Sequence, residues 1–192
     1  MESATRRVVR KGVAGAGLLA AILLARDASA VVTISFEPQN GVIIESVPAD
    51  TLTVVVSAEA GADTLKGFSL ILEFDPAYVT PIAAEAGSGL EGPGCDAPFF
   101  AWLNAGAIGD SIAVDGAALS CFVSAPGALA EIKFVGVPGS YGISPLACRM
   151  VRLRGPRNQV LADSCVAGTI EHKPVVIGMD PRSWGRVKGL YR

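Results

Sequence analysis

One histidine, four cysteines and eighteen carboxylates are the chemically versatile side chains of this 192-residue chain. A Ser-His-Asp triad needs its imidazole held in a cleft, and a histidine-built zinc site needs companions. His172 stands alone beside Lys173 and Pro174, so it is expected to be a solvated strand end. Glycoside hydrolysis needs two carboxyl groups roughly 5 to 10 Å apart across one cleft. The acidic residues, such as Asp63, Glu73, Asp110 and Asp115, fall in predicted turns and on outer strand faces and read as a solvated surface. No D-x-[DN]-x-[DN]-G calcium loop occurs, and no glycine-rich phosphate loop follows a strand. No catalytic residue, cofactor or metal is assigned, and the expectation is a binding protein and not an enzyme.

Cys95, Cys121, Cys148 and Cys165 are separated by 25, 26 and 16 residues. That spacing contains no Cys-x-x-Cys knuckle, which argues against a four-cysteine zinc site. An even count in an exported chain points to disulfides. Three pairings are open. Cys95–Cys121 with Cys148–Cys165 is preferred, because each pair brackets one loop or hairpin. The side chains left for recognition are aromatic and basic. Phe99, Phe100 and Trp102 lie in "FFAWLNA". Phe100 and Trp102 share a parity, which reads as core; exposed, the same rings would stack on sugar. Arg149, Arg152, Arg154 and Arg157 cluster late in the chain. Arg152 and Arg154 share one face of a strand, either as a solvated outer face or as a contact for an acidic partner.

The first thirty residues are set apart. "MESATRRVVRK" is basic, "GVAGAGLLAAILLA" is an uncharged apolar run, and Ala28-Ser29-Ala30 is a small-x-small cleavage pattern. That order predicts a secretory signal peptide over 1–30, and the run is shorter than the roughly 20 apolar residues of a membrane span. The protein is thus expected outside the cytoplasm, periplasmic or extracellular, with no membrane attachment after cleavage. Removing five basic and two acidic residues moves the net charge from −2 to −5. Residues 31–147 hold two basic residues against thirteen acidic ones, while 148–192 hold nine against three. Neither half carries a nucleic-acid footprint.

The elements that must position these residues are strands. "VVTISF" (31–36), "TLTVVVSA" (51–58) and "KGFSLILEF" (66–74) alternate with period two, the signature of half-buried strands. In the third, Phe68, Leu70, Leu72 and Phe74 share the inner face. Ile71 falls on the outer face, which therefore reads as partly covered or as a contact surface. Asp75-Pro76 ends that strand. "DSIAVDGAALS" (110–120) carries Ile112 and Val114 inward, with Asp115-Gly116 as a turn signal. "GALAEIKFVGV" (127–137) buries Ala130, Ile132 and Phe134, and "SYGISPLACRMVRLRG" (140–155) reads as one or two strands interrupted by Pro145. Turn signals recur about every ten residues, the pattern of an all-β sandwich. The tail 174–192 differs: Trp184, Val187, Leu190 and Tyr191 fall at helical spacing. It reads as a terminal helical turn laid on the sandwich or as a recognition tail centred on Trp184.

The ordered series "TLTVVVSA", "LKGFSLILEFDPAYVTP", "GALAEIKFVG" and "VRLRGPRNQVLADSCVAGTI" resembles the cohesin family and its cohesin-like relatives in exported bacterial proteins, over about residues 31 to 171. The resemblance implies a jelly-roll-like β-sandwich of about nine strands over 31–173. It also implies a non-catalytic module that binds a dockerin-type protein partner in extracellular assembly. Some carbohydrate-binding modules have a closely related fold, so a polysaccharide is the alternative partner. The chain departs from the family in being a single domain, in its four cysteines and in its short tail. The family marks its partner face with no motif, so no contact residue is carried over.

Overall fold

The computed structural model describes residues 31–46, 49–59, 64–90, 96–119, 121–123, 126–161 and 163–175. The expected signal peptide, Cys95 and the expected helical turn around Trp184 lie outside the described residues. Eleven strands form two facing sheets. They are β1 (Val32–Glu37), β2 (Asn40–Ile44), β3 (Thr51–Ala58), β4 (Gly67–Glu73), β5 (Val79–Ala86), β6 (Phe99–Ala105), β7 (Ser111–Ala117), β8 (Gly127–Gly136), β9 (Gly142–Arg154), β10 (Asp163–Cys165) and β11 (Gly168–Lys173). One sheet has the order β10-β1-β3-β8-β5, the other β2-β11-β9-β4-β7-β6. The sandwich expected from the alternation is therefore present.

Among the described residues the count exceeds the expected nine, because the first and last described segments each change sheets. Pro38 cannot donate to a ladder. The chain leaves the first sheet there and re-enters pairing as β2 in the second. The C-terminal segment does the same at Val166–Ala167. Each half pairs in parallel with its counterpart, β1 with β10 and β2 with β11. The two crossings are hydrogen-bonded to each other: Thr169 N–H donates to Gln39 O at 2.9 Å, and Gln39 Nε2 donates to Ala167 O at 3.1 Å. Gly168 permits this approach, since a Cβ there would sit 2.5 Å from Gln39 O.

The core follows the predicted faces. Val32, Ile34 and Phe36 from β1, Val54 and Val56 from β3, Phe68, Leu70 and Leu72 from β4, Ile112 and Val114 from β7, and Ile132 and Phe134 from β8 are all buried. Phe74 meets the Phe134 ring edge-on, with centroids 6.0 Å apart. Asp75 closes β4: its Oδ1 accepts from Ala77 N–H at 2.9 Å, an Asx turn before β5.

Three local expectations are corrected. Asp115-Gly116 is no turn; both lie inside β7. Gly116 faces inward beneath the Phe68 ring, where a Cβ would approach ring carbons to 2.5 Å, so the glycine serves packing. Pro145 does not interrupt β9, which runs unbroken over thirteen residues. The last β4–β9 partners are Glu73 and Ala147, so Pro145 lies beyond the end of β4 and its missing N–H costs no bond on that side. His172 is not solvated. It lies in β11 with Gly168 and Ile170 on the inner face and is 2% exposed.

Cys148 and Cys165 form a disulfide, Cα–Cα 6.1 Å, as preferred from the sequence. It joins β9 of one sheet to β10 of the other. Cys121 is also disulfide-bonded; its expected partner, Cys95, is outside the described residues.

Candidate docking face

Strand register assembles the outer face of β6-β7-β4-β9 from residues far apart in sequence. Side chains of directly paired residues point the same way. One row runs Phe100, Asp115, Ser69, Arg152 across β6, β7, β4 and β9; the next runs Trp102, Ala113, Ile71, Met150. Between Ile71 and Leu72 the β4–β9 register shifts, leaving Arg149 as the extra residue of a bulge. Met150, Arg152 and Arg154 then share the outward parity, while Leu153 is buried. Arg149 pairs with Glu73 at 3.6 Å, both exposed.

The predicted binding residues are thereby sorted. Phe100 and Trp102 are 70% and 71% exposed, which overturns the reading of that pair as core. Phe99, of opposite parity, packs partly buried against the core. Ile71 is half-buried on the outer face, as expected, and Arg152 and Arg154 are exposed beside it. Trp184 lies outside the described residues. The structure thus brings Ile71, Phe100, Trp102, Arg152 and Arg154 onto one face and adds Met150, Ser69 and Lys66, none of which the sequence singled out. The β4–β9 register unites them; that pairing spans about eighty residues and leaves no local trace in the sequence.

The outer face of the other sheet contrasts. Thr53, Glu85, Glu131 and Lys133 line only a shallow recess there, about 80 Å³, and Ser35 hydrogen-bonds Glu59. That face is mixed: half-buried Val55 and Val135 share its outward parity, and Ile82 at the β5 bulge is exposed.

A second concavity, about 370 Å³, opens at one end of the sandwich and is lined by Ile43, Ile44, Glu45, Asp50, Pro138 and His172 among others. Two carboxyl groups and an imidazole meet there, so it is the place to look for acid–base chemistry. Tyr141 Oη donates to Glu45, and Gly139 N–H donates to it at 3.1 Å. These bonds hold the Glu45 carboxyl below its ordinary value of 4.5, and the same contact raises the Tyr141 hydroxyl above 10.0. A carboxyl held ionised is a poor proton donor near neutrality. Asp50 accepts from Thr51 N–H at 2.9 Å. His172 Nδ1–H donates to Ser140 O at 2.6 Å, and its ring lies 5.3 Å from that of Tyr141. These groups are tied to the backbone and to one another as a structural cluster. Among the described residues, no group of three or more His, Cys, Asp or Glu is placed to hold a metal ion.

No protein-family model matches the sequence, and no curated protein matches it. Solved structures do match. A chain of a type I cohesin–dockerin complex from Clostridium thermocellum is 16% identical, with a TM-score of 0.61 over 79% of this chain and 99% of its own. A non-cellulosomal cohesin from the archaeon Archaeoglobus fulgidus is 15% identical, with a TM-score of 0.56 over 83% and 98%. The cohesin module of a family 33 glycoside hydrolase from Clostridium perfringens is 7% identical, with a TM-score of 0.58 over 76% and 99%. The described residues of this chain have the cohesin fold, as the ordered sequence series led one to expect.

Proposed function

We propose that this is an exported, non-catalytic binding module that docks a protein partner of dockerin type on the outer face of β6-β7-β4-β9. The observation that carries the reading is the apolar row Trp102–Ala113–Ile71–Met150, extended by exposed Phe100, on a cohesin-like sandwich. Large exposed rings in an apolar patch rimmed by arginines are the composition of an interface core and rim. The inter-sheet disulfide Cys148–Cys165 supports an oxidising compartment, in keeping with the export signal read from residues 1–30.

The exposed pair Phe100 and Trp102 favours one other reading. They lie two residues apart on one face of an edge strand, about 7 Å along it, a spacing that lets successive sugar rings stack. The two readings separate in one assay. The oxidised 31–192 chain is incubated with the source organism's secreted fraction and, separately, with insoluble polysaccharides. Protein docking predicts capture of a discrete protein that is lost in Ile71→Asp and kept when residues 179–192 are removed. Retention on polysaccharide without protein capture, lost in Phe100→Ala/Trp102→Ala, contradicts it. Capture lost with residues 179–192 moves the function to Trp184 and contradicts it as well.

A further inference from the structure

The docking face has a recess at its edge, and Gly67 is the reason. Gly67 shares the outward parity of Ser69 and Ile71, and its paired neighbours are Arg154 on β9 and Ala117 on β7. With no side chain at 67 and a methyl at 117, the face drops into a hollow of about 410 Å³. Lys66, Ser69, Arg152, Arg154 and Asn158 are among its walls. Three cations line it and no carboxylate does. The ion pairs seen among the described residues, Arg149–Glu73 and Lys173–Glu171, lie elsewhere.

Two of the cations are held in place. Lys66 Nζ donates to Leu119 O at 2.8 Å and to Cys121 O at 3.2 Å, and it sits 4.7 Å from the centroid of the Phe122 ring. Arg154 Nη1 donates to Asn158 O at 3.2 Å. Arg152 makes no ion pair among the described residues. Its Cα is about 7 Å from that of Arg154 along the strand, and both side chains line the same recess. Charge held in place before binding costs little to order afterwards, and a guanidinium pairs with a carboxylate through paired N–H donors.

We infer that this recess is a socket for a single carboxylate carried by the docked protein; the inference rests on the docking reading above. The surroundings select one acidic group over a polyanion. Asp115 faces Ser69 across the β4–β7 pair, Glu73 lies further along β4, and residues 31–147 are strongly acidic. An extended polyanion meets repulsion on leaving the recess, whereas one Asp or Glu beside an apolar anchor does not. The row Phe100–Asp115–Ser69–Arg152 ties the socket to the exposed aromatics, so one partner segment spans both.

The test needs no partner and therefore fails or succeeds separately from the docking reading. The ¹⁵N-labelled, oxidised 31–192 chain is titrated at low salt with a capped Gly-Glu-Gly peptide, capped Gly-Gln-Gly and an oligogalacturonate. The single-glutamate peptide is expected to shift the amides of Gly67, Ser69 and Ala117 saturably, and the glutamine peptide is not. Arg152→Gln/Arg154→Gln is expected to weaken binding about tenfold, each partly exposed charge-assisted pair being worth about threefold. Ser69→Asp, which places a carboxylate in the recess, is expected to abolish it. Thr53→Ala, on the outer face of the other sheet, is expected to leave the affinity of the single-glutamate peptide within about twofold. Absence of shifts at these amides overturns the socket. So does equal affinity in the arginine double variant, or tighter binding of oligogalacturonate with shifts spreading to Phe100 and Trp102.

Discussion

Trp102 and Phe100 hold most of their surface in water, so folding gains little from them. Their truncation is a clean functional lesion: Phe100→Ala/Trp102→Ala is expected to change stability by less than about 0.5 kcal/mol per site, read from the denaturant midpoint. Their orientation was hidden in the sequence because the strand is apolar on both faces. Phe99 and Leu103 pack against the core, and alternation cannot say which apolar parity faces inward. His172 was more legible than the reading made of it. Ile170 is core and Thr169, Glu171 and Lys173 alternate with it, so the same parity rule places His172 inside; lysine and proline neighbours drew attention to solvent instead. The Glu45–Tyr141 pair sets a pH dependence with a fixed sign. Glu45 is lowered in the folded state, chiefly by the Tyr141 hydrogen bond. Its contribution is present above 4.5 and is lost as pH falls through the lowered value. Tyr141 is raised, by the same bond; its contribution is present below 10.0 and is lost as pH rises through the raised value. Tyr141→Phe removes the bond. The variant's melting temperature is therefore expected to fall less steeply than the parent's between about pH 5 and pH 3, measured by calorimetry; equal slopes contradict the assignment.

At the scale of elements, alternation in 31–36, 51–58, 66–74 and 127–137 gave both the strands and their buried faces, because a half-buried strand writes its environment every second residue. Long-range steric needs were not legible. Gly116 looked like a turn because Asp-Gly usually is one; only the Phe68 ring above it explains a glycine there. Gly116→Val is expected to destabilise by about 1 to 3 kcal/mol through overpacking, and pairing it with Phe68→Leu is expected to recover part of that loss. No recovery contradicts the packing explanation. Pro145 misled in the same way: whether a proline breaks a strand depends on where the neighbouring strand ends, which β4 settles at Glu73. The disulfide between β9 and β10 holds the two sheets together at the C-terminal crossing. Cys148→Ser/Cys165→Ser closes no 17-residue separation and is expected to cost about 3 kcal/mol in denaturant unfolding.

For the whole molecule, the outer faces of the two sheets differ. That of β6-β7-β4-β9 carries an apolar row with two exposed rings, flanked by arginines; that of β10-β1-β3-β8-β5 is mixed. The architecture was readable from the strand pattern. The proposed docking face was readable only in pieces: Ile71, Phe100, Trp102, Arg152 and Arg154 each stand out in the sequence, and strand register alone shows that they are neighbours. The most direct test of the central claim compares two photo-crosslinking residues placed one at a time, at position 71 on the proposed face and at position 53 on the opposite one, in the oxidised 31–192 chain irradiated in the secreted fraction. The account predicts a discrete protein adduct from position 71 and none from position 53. An adduct from position 53, or none from position 71 while a protein is still captured, contradicts it.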